Sequence, residues 1–273
     1  MGAQRERRRL MPLFLPTLCT VAIAVAAYMA AVFLVAVALR DNSVADIAWG
    51  PGFILAGGVA WWLNARATPR AALVLTLVAL WGVRLAAHIF ARHRGKGEDF
   101  RYAGWRAEWG SLFLLRSFLQ VFMLQGALLV IVALPVLYVM AAPGPAAITL
   151  LDALGTLVWL TGFVFESVGD LQLTRFLADP ANRGRVMTTG LWRCTRHPNY
   201  FGEVACWWGI YLIACAVPGG WLTVPGPLVI TVLILFVSGI PLLEAKSMLK
   251  PEFREYAKRT NAFFPWFPKG DRP

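Results

Sequence analysis

The apolar stretches of this chain constrain its fold more than any other feature. They run over residues 12–39, 51–64, 71–91, 111–141, 148–174, 199–217 and 223–245, to be compared with the ~20 residues a helix needs to cross a bilayer. In lipid a helix satisfies its own backbone groups, so the pattern predicts an all-α, polytopic membrane bundle of about seven transmembrane helices. The second stretch is the weakest: Gly52 to Leu63 is short and contains Gly57-Gly58, which leaves a tilted, broken or re-entrant element open. No other segment is long enough to bury a core of its own, so residues 1–273 read as one integral membrane domain.

Charge then sets the expected topology. The formal net charge is +11, and the cations gather in three places. Arg92, Arg94, Lys96, Arg101 and Arg106 lie in a predicted loop, 92–110; Arg175, Arg183, Arg185, Arg193 and Arg196 lie in another, 175–198; the amphipathic tail, 246–273, holds the third group. Segment 41–50 reads as a further inner loop, whereas the connections 142–147 and 218–220 contain no Lys or Arg. The positive-inside rule puts the basic segments and the C-terminus in the cytoplasm, as in a bacterial inner-membrane protein. Seven spans would leave the N-terminus outside, against the pull of Arg5, Arg7, Arg8 and Arg9. Either the first helix carries that topological penalty or the second element does not cross; the downstream pattern favours the former. The charged start resembles a signal peptide, but the apolar stretch is too long and no cleavage site stands out, so it is read as a retained helix. Cations spread through interhelical loops suit anionic membrane lipids and not nucleic acid. Cys19, Cys194, Cys206 and Cys215 have no metal-like spacing, and neither disulfides nor a zinc site is expected.

Charged side chains inside a membrane are costly, so each needs a reason. Glu166 and Asp170 stand four apart near the inner end of the fifth stretch. They either pair with Arg175 or another loop arginine, or accept hydrogen bonds from ribose hydroxyls, an amide or a ligand amine. Arg196 and His197 precede a helix start at Pro198, where free N–H groups favour a phosphate or carboxylate. Asn199 and Glu203 share a helix face, and Glu244 adds a further carboxylate at the inner end of the last span. Arg84 lies inside the third span on the side of His88 and calls for a carboxylate or a bound anion. Asp46 and Trp49 lie one turn apart, either as an N-cap and an interfacial tryptophan or as a carboxyl poised to act as an acid in a partly dry cavity. Tyr102 offers a phenol donor beside Asp99 and Arg101, unless Gly97 to Tyr102 is a salt-bridged turn. Phe253 to Tyr256, followed by Phe263 to Pro268, reads as a short amphipathic helix with an aromatic tail that lies at the interface or folds under the bundle. There is no Gly-rich dinucleotide fingerprint, Walker loop or nucleophile elbow.

Arg196-His197-Pro198-Asn199-Tyr200-Phe201-Gly202-Glu203, with Asp46 to Gly50 and Gly97 to Tyr102 upstream, resembles the bacterial DUF1295 membrane proteins of the steroid 5-alpha-reductase superfamily. The similarity runs from about residue 40 onward and is strongest from Glu166. It implies a seven-helix bundle that holds NADPH in its cytoplasmic half and reduces a double bond conjugated to a ketone or enoyl group. Asp170, Asn199 and Glu203 match positions associated with cofactor binding; Glu166 stands where an asparagine is common. The steroid enzymes carry a Gln-Glu pair for the substrate ketone, for which the nearest counterpart here is Asp46 with Trp49, and Trp81 stands where a tyrosine is expected. Arg-His-Pro-x-Tyr-x-Gly is similar also to membrane methyltransferases of the isoprenylcysteine carboxyl type, which use S-adenosylmethionine. Spacing and resemblance together nominate Arg84, Arg101, Glu166, Asp170, Arg175, Arg196, His197, Asn199, Tyr200, Glu203 and Glu244 for the cofactor. Asp46 and Tyr102 are the candidates for proton donation to a hydrophobic substrate drawn from the bilayer.

Overall fold

The computed structural model describes residues 2–65, 68–141 and 147–268, with the backbone alone for residues 2–13. The side chains of Arg5, Arg7, Arg8 and Arg9, most of the connection 142–147 and the last tail residues, 269–273, lie outside the described residues. The main helices are α1 (Gly2–Leu39), α2 (Val44–Asn64), α3 (Pro69–His93), α4 (Phe100–Val132), α5 (Leu134–Ala141), α6 (Leu150–Ala178), α7 (Pro198–Cys215), α8 (Gly220–Ser247) and α9 (Pro251–Arg259). Among the described residues there is no strand, and six helices are long and apolar enough to cross a membrane: α1 from Phe14, α2, α3, α4, α6 and α8. The stretch 199–217 does form a helix, α7, but Pro198, Asn199 and Glu203 occupy its first turns and it falls short of that apolarity. Exposed side chains such as Leu34, Leu150 and Phe236 give the spans the apolar exterior that lipid requires.

The chain gathers into two compact units, Met1–Ala153 with Tyr211–Gly226 and Leu154–Ile210 with Pro227–Pro273. In the first unit the predicted loop 41–50 is helical from Val44. Asp46 in the first turn interacts favourably with the helix dipole, and Pro51, which lacks an N–H, is tolerated inside a membrane helix packed against neighbours. The second element is therefore a full-length helix, antiparallel to α1: Asn64 Nδ2 donates to Thr17 Oγ1 (3.1 Å) near one end, and the Tyr28 hydroxyl donates to the Ala48 carbonyl (2.9 Å) nearer the other. The start of α1 thus lies at the end opposite the 40–43 turn. Gly50 and Gly82 bring α2 and α3 into backbone contact, since a Cβ on Gly50 would stand 2.3 Å from the Gly82 carbonyl oxygen. At the far end Arg70 grips Asp152 through Nε and Nη2, each at 2.7 Å, with both side chains almost wholly buried.

The predicted loop 92–110 is also mostly helix. Asp99 caps α4 by accepting from the Arg101 N–H (3.0 Å), which starts the helix at Phe100. The fourth apolar stretch breaks before α5, where Pro135 has no N–H to continue the ladder.

In the second unit a seam of glycines sets the spacing. Gly155, Gly162 and Gly169 on α6 recur every seven residues, two helical turns, and Gly202 and Gly209 do the same on α7. A Cβ on Gly202 would come within 2.4 Å of the Gly162 carbonyl oxygen, and one on Gly209 within 2.6 Å of the Gly155 oxygen. Small residues at this spacing let two membrane helices touch along their backbones. The tail folds against the start of α7: the Arg196 N–H donates to the Asn261 carbonyl and the Trp266 N–H to the Cys194 carbonyl, both at 2.9 Å, with Phe263 buried edge-on against Phe201.

Candidate functional site

The acidic pair of α6 is buried in the second unit, Glu166 at 2% and Asp170 at 6% exposure. Both face α7 because the glycine seam holds the helices together there: a Cβ on Gly202 would lie 2.5 Å from the Glu166 nitrogen, and one on Gly169 would lie 3.3 Å from the Asn199 nitrogen. Asn199 Nδ2 donates to Asp170 Oδ1 (3.1 Å). A carboxylate accepts only from the amide nitrogen, so this bond fixes the amide orientation and turns Oδ1 away. That Oδ1 atom is buried and has no hydrogen-bond partner, and the same holds for Ser167 Oγ on α6. Trp192 and Gln172 brace the same corner: Trp192 Nε1 donates to the Gly169 carbonyl (3.0 Å), and Gln172 Oε1 accepts from the Leu191 N–H (3.0 Å). Arg175, Arg183 and Arg185 are exposed on the end of α6 and the segment after it.

Arg196, His197 and Glu244 form a separate cluster, and here the structure corrects the sequence reading. Arg196 meets Glu244 through Nε (2.7 Å) and Nη2 (2.9 Å), while Nη1 donates to the carbonyls of Thr260 (2.6 Å) and Ala257 (3.1 Å). Four of the five guanidinium N–H groups are thereby taken. His197 Nε2 lies 2.9 Å from Glu244 Oε1, and the imidazole stacks on Tyr200. Arg196 and His197, nominated for a cofactor phosphate, and Glu244, nominated for the cofactor pocket, are instead engaged with one another and bind the tail to the start of α7. The Tyr256 hydroxyl donates to the Trp192 carbonyl from inside the same corner, and burial pushes that phenol well above its ordinary pKa. Glu203, half-buried on α7, is engaged by further contacts, as are Arg84 and His88, half-buried on α3.

In the first unit Asp46 and Tyr102 do come together. The Tyr102 hydroxyl donates to Asp46 Oδ1 (2.7 Å), and Arg101 Nη2 donates to Asp46 Oδ2 (2.6 Å) while its Nε donates to Asp99 Oδ1 (2.8 Å). Tyr102 is 4% exposed. Burial pushes the Asp99 carboxyl up, but the side-chain and backbone bonds from Arg101 outweigh it and hold the group below the usual carboxylate range. Arg101, nominated for the cofactor, is thus committed to two carboxylates. Asp46 lies in the first turn of a helix and accepts from both side chains, and the phenol is the hydrogen-bond donor of the pair. Two neighbouring turns hold the arrangement: the Asp99 N–H donates to Ser43 Oγ (2.8 Å), and the Asn42 N–H donates to Glu98 Oε1 (2.9 Å). Among the described residues no group of His, Cys, Asp and Glu could hold a metal ion.

A helical membrane protein with apolar spans, a buried acceptor cluster and a tyrosine–aspartate–arginine triad is the class that this fold and these sites define. Residues 32–260 match the family described as "Protein of unknown function (DUF1295)", and the chain belongs to that family. No curated protein and no solved structure matches it.

Proposed function

We propose that the protein is an NADPH-dependent membrane reductase of a carbon–carbon double bond conjugated to a carbonyl, in a steroid-like or enoyl-lipid substrate taken from the bilayer. The observation that carries this reading is the buried, unpartnered Asn199 Oδ1 beside the Asp170 carboxylate. Leaving such an acceptor unpaired costs about 1–3 kcal/mol, and a ligand N–H or O–H removes the cost. Glu166, Asp170 and Asn199 suit the sugar hydroxyls and carboxamide of a nicotinamide dinucleotide. Arg175, Arg183 and Arg185 suit its phosphates, in place of Arg196 and His197. Bound there, NADPH supplies a hydride, the part of the chemistry no side chain can provide. The protein's own contribution to the proton falls to Tyr102. Its hydroxyl can turn from Asp46 Oδ1 to a substrate carbonyl oxygen while Arg101 keeps hold of the carboxylate through Oδ2, and the developing negative charge on the substrate oxygen is met by the phenol. The superfamily resemblance of the Asn199 to Glu203 motif supports the same reaction class.

Thermal unfolding of the detergent-purified chain tests the reading. NADPH at a hundredfold excess over its dissociation constant stabilises the folded state by about 2.7 kcal/mol, and Asp170→Ala and Asn199→Ala should each abolish the protection. Protection by S-adenosylmethionine and not by NADPH would reassign the site to methyl transfer. Protection by neither would leave the buried carboxylates with a structural role alone.

A further inference from the structure

The first unit holds a second place of mixed character, independent of the reductase reading. A cavity of about 220 Å³ lies between the end of α1 and the first turns of α4, lined by Val37, Arg40, Asn42, Arg106, Phe113 and Leu114 among others. Its polar side is cationic. Arg106 is neutralised by Glu98, which it meets through Nε and Nη2 (2.9 and 2.8 Å), and its guanidinium lies over the Phe113 ring. Arg40 is different: it is exposed, and among the described residues its side chain has no hydrogen-bond or ion-pair partner. It also sits at φ 55°, the left-handed region that a side chain with a Cβ seldom adopts. The nearby carboxylates are spoken for, Glu98 by Arg106 and Asp41 by His93 at 2.7 Å, so the Arg40 charge is not cancelled locally. The apolar side continues onto the outer surfaces of the two helices, where Leu34, Leu39, Leu112, Leu114 and Leu115 are all at least half exposed.

We propose that this cavity binds the phosphate headgroup of a bilayer phospholipid, with the phosphate on Arg40 at the mouth and the first acyl carbons against Val37, Phe113 and Leu114. A cation at the basic end of the spans meets anionic headgroups at their own depth. The exposed leucines give the acyl chain a path that a free anion would not need, so the site takes a phosphodiester carrying lipid tails.

The test uses the full chain in mild detergent with three probes: dioleoylphosphatidylglycerol, dioleoylglycerol, which lacks the phosphate, and inorganic phosphate, which lacks the tails. Only the phospholipid should raise the unfolding temperature. Arg40→Gly should remove that rise, weakening the lipid about tenfold or more, while the lipid-free variant unfolds no earlier than the parent, because glycine relieves the positive φ. Arg40→Asn, which also tolerates that backbone, serves as the second variant and should behave alike. Equal protection by dioleoylglycerol would reduce the cavity to an apolar contact, equal protection by inorganic phosphate would make it a soluble-anion site, and full protection of both variants would place the lipid elsewhere; each outcome overturns the proposal.

Discussion

Asn199 shows how one side chain can be both satisfied and left wanting. Its nitrogen is committed to Asp170, and the same bond turns its oxygen into an acceptor with nothing to accept. Tyr102 and Asp46 are the reverse case, since every polar atom there has a partner and function requires one bond to move. The predicted consequence is a split between binding and turnover. Tyr102→Phe should lower reduction of a conjugated enone, followed as loss of NADPH absorbance, by about 10²–10⁴-fold, the usual contribution of a positioned proton donor. Asp46→Asn should also lose turnover, and both variants should keep thermal protection by NADPH. Undiminished turnover in Tyr102→Phe would remove it from the chemistry.

Helices α6 and α7 meet through glycines on both sides. Residues seven apart project on nearly the same side of a helix, so three glycines on one helix and two on the other form a strip along which the backbones approach closely. The strip ends at Asp170 and Asn199, and their hydrogen bond depends on it. Gly202→Ala should therefore lower the unfolding temperature, at a cost of about 1–3 kcal/mol for overpacking, and weaken NADPH protection as the two residues separate. Gly58→Ala on α2 makes the control. A Cβ there meets nothing within 4 Å, and replacing a helical glycine by alanine is favourable by roughly 0.5–1 kcal/mol. The unfolding temperatures of the two variants should move in opposite directions.

Across the whole of the first unit, paired charges gather at the two ends of its helices. Cations and their carboxylates collect where α1, α2, α3 and α4 turn, and the buried Arg70–Asp152 pair closes the other end of that unit. Removing one partner of so buried a pair costs about 3–5 kcal/mol, so Arg70→Ala should lower the unfolding temperature far more than loss of any exposed cation does. Asp41 gives the unit a pH dependence. Burial raises its carboxyl, but hydrogen bonds from Ser43 and His93 outweigh that and leave it below the ordinary value. A depressed carboxyl stabilises the fold above its unfolded pKa, and the contribution is lost as pH falls from about 4 through the lower, folded value. Unfolding temperatures measured across that window should drop more steeply for the parent chain than for Asp41→Asn.

Much of this was legible in the primary structure and some was not. Apolar runs announce membrane helices because lipid offers backbone groups no other partner, and the Asp46, Tyr102 and Asn199 motifs announce polar chemistry because such residues are expensive at those depths. The glycine strip was present as a seven-residue spacing, yet spacing does not say which helix it meets. Arg196 and His197 looked free for a phosphate because their partner, Glu244, lies 48 and 47 positions away, and Arg101 looked free because Asp46 lies 55 away. Composition by itself determined the all-helical membrane fold, a matter of local hydrogen bonding and transfer from water. Only the tertiary structure decided which cations are already neutralised and which acceptor remains open, because pairing depends on distances that the order of residues along a chain does not contain.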